Sequence, residues 1–281
     1  MIGRRALLAA GAGLLAAAAP DGLPQVFAAI EARRGGRLGV AVLDTATGRT
    51  AGYRQDERFP MCSTAKLPTA GAVLAHVGVA GLQRRIHFPK HDLVVHSPLT
   101  APHADTDGMT LDAICAAALS QSDNTAGNLM LHIIGGPAGL TRYLRTLGDE
   151  MTRLDRWETA LNEAKPGDVR DTTTPAAMLA DIQALTLGHA LPAPAKASLL
   201  GWLRGNQVGD ARLRARLPPG WQVADKTGTG DFRTSNDAGL LFPPNGAPPI
   251  IVAAYLTEGS ADDAVREAAL ADVGAAVAAW A

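Results

Sequence analysis

Lysine is scarce in this chain, and the places that keep it are informative. Lysine and arginine together number 26 among the 281 residues, and only five are lysines. A lysine can be pushed to lose its proton by burial or by a neighbouring cation, whereas an arginine effectively cannot. Two of the five stand in short motifs, Ser63-Thr64-Ala65-Lys66 and Lys226-Thr227-Gly228. If a helix begins near Ser63, residues 63 and 66 share one face, which sets the amine beside the hydroxyl. The helix N-terminus would then help stabilise an alkoxide or oxyanion, and Pro60 and Pro68 both suit a helix start. That is the chemistry of an activated serine nucleophile. Taken alone, the same spacing also fits an N-cap serine with a surface lysine.

Two further segments make the pattern specific. Ser122-Asp123-Asn124 follows a helix-like run, and Lys226-Thr227-Gly228 borders a predicted strand. Residues 153–174 are polar, contain Pro166-Gly167-Asp168 and lack sustained periodicity, and so long an irregular run inside a compact domain is usually functional. This run carries Glu158-Thr159-Ala160-Leu161-Asn162 and ends in Arg170-Asp171-Thr172-Thr173-Thr174-Pro175. The motifs S-x-x-K, S-D-N and K-T-G together mark class A β-lactamases and penicillin-binding proteins. Over essentially its whole mature length the chain resembles a class A serine β-lactamase. The E-x-x-L-N match at Glu158 and the matching far end of the loop separate it from the transpeptidases.

The resemblance implies a mixed α/β fold of the β-lactamase/transpeptidase type, with a five-stranded antiparallel sheet, flanking helices and an inserted all-α domain. It implies that Ser63 attacks the lactam carbonyl, with the backbone N–H groups of Ser63 and Thr229 as oxyanion hole. Ser122 would relay a proton to the lactam nitrogen, and Asn124 would hold the substrate's side-chain amide. Lys226, Thr227 and Thr229 of the Lys226-Thr227-Gly228 strand, with Ser235, would bind the substrate carboxylate. Glu158 and Asn162 would hold the hydrolytic water against the acyl-enzyme. An Arg156–Asp171 salt bridge would pin the loop, and the Glu158–Thr159 peptide would be cis. Whether Lys66 or Glu158 deprotonates Ser63 stays open at this stage. The substrate is a small β-lactam, without cofactor or metal.

Several positions depart from the common family pattern. Ser235 stands where many relatives carry an arginine, and Arg212 matches an alternative location for that charge; the competing reading is a surface helix arginine. His96 matches a cleft-rim position usually held by an aromatic. Cys115 faces Ala70 where a disulfide partner is usual, and Cys62 faces Gly230 in the pattern of other members. Free thiols are therefore expected, with a Cys62–Cys115 bridge as the alternative.

Composition is that of a globular protein. Hydrophobic residues make up 47% and charged residues 19%, with a formal net charge of −1. No basic stripe exists to neutralise phosphates, so a nucleic-acid partner is not expected. His87 and His91 have the i, i+4 spacing of zinc ligands, but Pro89 lies between them. Arg4 and Arg5 precede the apolar run Ala6–Ala19, which reads as a cleaved, twin-arginine-like export signal over residues 1–19. The mature protein is expected in the periplasm or secreted, as a monomer outside the membrane.

Strand-like segments cluster at both ends: Arg37–Asp44, Thr50–Arg54, Trp221–Thr227, Asn236–Phe242 and Pro249–Thr257. Gly228–Ser235 reads as a turn, and Ala261–Ala279 as a closing helix. The middle is helical. The expected organisation is a sheet domain of residues 21–60 and 205–281, interrupted by a helical domain of residues 61–204. Two rivals remain, a D-alanyl-D-alanine peptidase sharing the three motifs and an exported binding protein that has lost catalysis.

Overall fold

The computed structural model describes residues 22–281, so the export-signal segment lies outside the described residues. Five strands form one antiparallel sheet: β1 (Arg37–Asp44), β2 (Thr50–Tyr53), β3 (Gln222–Gly230), β4 (Thr234–Phe242) and β5 (Ile250–Thr257). Their order is β2-β1-β5-β4-β3, so the N-terminal hairpin meets the C-terminal meander at the β1–β5 pair. β5 (Ile-Ile-Val-Ala-Ala-Tyr-Leu-Thr) is buried along its whole length. An uninterrupted apolar strand of this kind needs cover on both faces.

Alternate residues supply the two faces. Leu38, Val40, Val42, Val252 and Ala254 pack against α1 (Leu23–Arg34) and α8 (Asp263–Trp280) through Phe27, Ile30, Leu270 and Val273. Leu240, Ile251, Ala253 and Tyr255 join the core of the helical region. That region holds α2 (Lys66–Gly81), α3 (Leu111–Ser120), α4 (Asn124–Ile134), α5 (Gly136–Thr146), α6 (Pro175–Thr186) and α7 (Ala193–Arg204). Helix α6 packs on β1 and β5, so the helical region and one face of the sheet share a single core. The spacing Leu23, Phe27, Ile30 behind Pro24 is the signal of α1, an element the sequence reading had not assigned.

One expectation is corrected. Gly228–Ser235 is not all turn, because pairing continues through Gly228↔Asn236, Thr229↔Ser235 and Gly230↔Thr234. The small, polar composition that suggests a turn is here a strand packed closely against a neighbour. Only residues 231–233 make the reversal, with φ of 51° at Phe232 and 58° at Arg233.

Candidate active site

The turn that carries Ser63 begins as a 3₁₀ helix, Cys62–Ala65, which runs directly into α2 at Lys66. Cys62 enters it at φ 49°, a left-handed conformation that a non-glycine residue rarely adopts. Such a backbone persists only where its surroundings over-determine it. They do so here: Asn236 Nδ2 donates to the carbonyls of Pro60 (2.9 Å) and Met61 (3.1 Å), and Thr64 Oγ1 donates to Met61 O at 2.8 Å. Strand β3 presses on the turn from the other side. A Cβ at Gly228 would lie 2.8 Å from Met61 O, which explains why this motif position is glycine.

Ser63, Lys66 and Glu158 are all buried, at 7%, 3% and 6% exposure. Lys66 Nζ donates to Ser63 Oγ at 2.8 Å, to Asn124 Oδ1 at 2.7 Å and to Ser122 O at 3.0 Å. It also pairs with Glu158 Oε1 at 2.6 Å, while Ser63 Oγ reaches the same oxygen at 3.5 Å. Two charges this deep are tolerated only because each is paired and hydrogen-bonded. Lys66 has room to sit there because α4 offers no side chain at Gly127, where a Cβ would fall 2.7 Å from Lys66 Cε.

Ser122, at φ 57°, turns its hydroxyl toward a second buried amine, and Lys226 Nζ donates to it at 3.0 Å. Burial, helped by the charges of Lys66 and Arg212, holds the Lys226 amine well below the usual lysine pKa. The Asp123 carboxylate caps α4 at Ala126 N and accepts from Leu99 N, Thr100 N and Thr100 Oγ1. It thereby ties the rim segment to the catalytic helix.

The irregular loop is closed by charge. Arg156 Nε donates to Asp171 Oδ2 at 2.5 Å, and Asp171 Oδ1 accepts from Asp155 N (2.7 Å) and Arg156 N (2.9 Å). The expected clamp is therefore present, extended by an Arg156–Glu163 ion pair. Asn162 Nδ2 donates to Glu158 Oε2 at 2.6 Å. The Glu158–Thr159 peptide is cis, as the family resemblance implies. Asn128 of α4, not singled out from the sequence, holds the Glu158 backbone in both directions. Its Oδ1 accepts from Glu158 N at 2.9 Å, and its Nδ2 donates to Glu158 O at 3.1 Å. Its position four residues past Asn124, on the same helical face, was the available signal.

Ser63, His96, Ser122, Asn124, Asn162, Val208, Arg212, Thr227 and Thr229 line a cleft of about 330 Å³. His96 sits on its rim at φ 63°, with Nε2 2.9 Å from Gln121 O. A larger cavity, about 410 Å³, opens behind the loop around Arg58, Lys165 and Asp168 and includes none of these groups.

Arg212 and Ser235 resolve in opposite ways. Arg212 is not a surface residue but 6% exposed. It donates to Gly228 O and Asn236 O at 2.8 Å each, and to Thr229 Oγ1 at 2.7 Å. Burial lowers its guanidinium pKa, against the opposing pull of Asp237 and Glu267. Ser235, expected to face the substrate, is 2% exposed, and its Oγ accepts from Arg266 Nε of α8 at 3.1 Å. Cys62 and Cys115 are both buried free thiols. Gly230 sits against the first, since a Cβ there would fall 2.6 Å from Cys62 Sγ.

Comparison with known proteins adds the following. A family model described as the β-lactamase enzyme family matches residues 23–281. The chain is 47% identical over 267 residues to β-lactamase OXY-1 of Klebsiella oxytoca, covering 94% of this chain and 90% of the relative. An ancestral class A β-lactamase structure is similar at 56% identity and TM-score 0.88, covering 91% of this chain and 98% of the other. The class A β-lactamase reconstructed for the last common ancestor of Gram-negative bacteria is similar at 55% identity and TM-score 0.88, over 91% and 98%.

Proposed function

The chain belongs to the class A β-lactamases, and on that premise we propose that Ser63 is its acylating nucleophile and Glu158 the base that hydrolyses the acyl-enzyme. The protein is a hydrolase of β-lactams that works through a serine acyl-enzyme and confers resistance to these antibiotics. The observation carrying the residue assignment is the convergence of Lys66 Nζ and Glu158 Oε1 on Ser63 Oγ, at 2.8 and 3.5 Å.

Lys66 and Glu158 lie 2.6 Å apart, and both reach the Ser63 hydroxyl. We therefore assign activation of Ser63 to the pair rather than to either member. Attack on the lactam carbonyl builds an oxyanion, which the backbone N–H groups of Ser63 and Thr229 receive. Ser122, held between Lys66 and Lys226, returns the proton to the lactam nitrogen. Asn124 donates Nδ2 to Val95 O and gives Oδ1 to Lys66; it lies where a substrate side-chain amide would pass. Lys226, Thr227, Thr229 and Arg212 form the cationic end that takes the substrate carboxylate.

A strained lactam acylates serine readily, and turnover then demands a water activated in a site that has excluded solvent. Glu158, aligned by Asn162 and Asn128, supplies the base. The discriminating experiment mixes the protein with a chromogenic cephalosporin and follows both hydrolysis and covalent adduct by mass spectrometry. Sustained turnover without lasting adduct is expected. A stable adduct would point to a peptidase, and neither product nor adduct to a binding protein.

Export follows from Arg4, Arg5 and the apolar run behind them, with a monomer in the periplasm as the mature form. Among the described residues no helix is long and apolar enough to cross a membrane.

A further inference from the structure

We propose that His132 of α4 is a positioning residue for deacylation: its ring stacks on Trp157 and fixes the angle at which the loop presents Glu158. This rests on the reading of Glu158 as the base that hydrolyses the acyl-enzyme.

Asn124, Asn128 and His132 follow one another at intervals of one helical turn and form a single stripe along α4. The first two already serve the catalytic groups, Asn124 through Lys66 and Asn128 through both backbone groups of Glu158. One turn further on, the His132 ring lies on the indole of Trp157, with centroids 4.5 Å apart and an interplanar angle of 36°. That is the close end of the range in which aromatic rings attract one another. Trp157 immediately precedes Glu158, so the stack acts on the base through one peptide unit. The indole also lies close to the start of α5, where a Cβ at Gly136 would fall 3.1 Å from Trp157 Cζ2.

The use of a second contact follows from the geometry of the first. Two hydrogen bonds from one amide, to the N–H and C=O of one residue, fix that residue's place but leave an axis about which the segment can turn. Rotation about that axis would swing the Glu158 carboxylate, and a large ring anchored one helical turn away opposes it. Asn162 binds the carboxylate from within the same loop and would turn with it. The Leu161 N–H, which donates to Trp157 O at 3.1 Å, carries the constraint on to the far side of Glu158.

His132 has a competing role. It is exposed and stands in the last turn of α4, where a cation favours the helix dipole. One role needs the ring and the other the charge, so substitutions separate them, and an exposed position lets them be made without disturbing the core.

The test measures acylation and deacylation by benzylpenicillin in rapid-mixing kinetics, normalised by active-site titration, for His132→Ala, His132→Phe and His132→Lys. His132→Ala should slow deacylation by about tenfold with acylation within about twofold, so that kcat and KM fall together. His132→Phe keeps a ring without a charge and should bring deacylation back to within about threefold, whereas His132→Lys should not. Equal losses in the two steps, no loss in His132→Ala, or rescue by His132→Lys in place of His132→Phe overturns the proposal. Glu158→Gln checks the reading beneath it. If that variant deacylates at the unaltered rate, the base assignment fails and the proposal with it; if it is slow while His132→Ala is unaffected, only the role of His132 falls.

Discussion

The two walls of the cleft hold their reacting groups by different means. The Ser63 wall is set by close packing: a left-handed turn wedged between Gly228 and the body of α2, with Asn236 donating to the carbonyls that precede it. The Glu158 wall is a loop with few apolar anchors, chiefly Leu154, Leu161 and Ala164, and it keeps its shape through Arg156, Asp171, Asn162 and Asn128. Packing does not respond to pH or to loss of one charge, whereas an ion-pair network does. Changes to the loop should therefore slow deacylation more than acylation, and the two half-reactions give the means to check this.

Glu158→Gln separates them most sharply. Deacylation should fall by roughly 10²–10⁴-fold and acylation, which shares this carboxylate with Lys66, by less, so that acyl-enzyme accumulates as a burst and a persistent mass adduct. Loss of both steps in parallel would show that acylation depends on this carboxylate equally. Gly127→Ala attacks the packed wall. The new Cβ would meet Lys66 Cε at 2.7 Å, and displacing the amine by about 1 Å should cost on the order of 10²-fold in acylation rate. Arg212→Ala should raise KM by about 10-fold or more with a smaller change in kcat, as loss of a charge-assisted contact predicts.

Asp171→Asn removes the clamp's anion, which is 1% exposed, and should destabilise the fold by about 3 kcal/mol. Denaturant melts would measure that loss, and single-turnover kinetics should place the remaining defect in deacylation. The last comparison concerns the loop's base. Asp149 Oδ1 accepts from Met151 N and Thr152 N, and burial beside Asp149 raises the Asp181 pKa from 3.8 to about 9. The folded state then keeps a proton that the unfolded chain has released. The associated stability is complete below about pH 4 and declines as pH rises toward 9. Asp181→Asn should flatten that decline in thermal melts, and an unchanged slope would remove Asp181 from the account.

Ser63 and Lys66 are legible together because they are neighbours within one helical turn, where spacing and geometry coincide. The loop was legible as an interruption of pattern, and its clamp through resemblance. Gly127 was not legible, and Asn128 was legible only as a neighbour of Asn124 on one helical face. Their importance comes from what packs against them from some thirty and sixty residues away, and neither type is unusual in a helix. Ser235 misled for a related reason: the opposed pairs Thr229↔Ser235 and Thr227↔Asp237 put four polar side chains on one face, and only packing decides which reaches the cleft.

By itself the sequence pointed to the candidate reacting groups and determined their order along the chain and the class of chemistry. These depend on side-chain type and on contacts within a turn or a short motif. The tertiary structure alone decided that Arg212 is buried with its guanidinium on Thr229 rather than exposed on a helix surface. It also decided that Glu158 is held by a helix asparagine. Those outcomes depend on which buried faces approach one another, and on the cost of leaving a polar atom there without a partner.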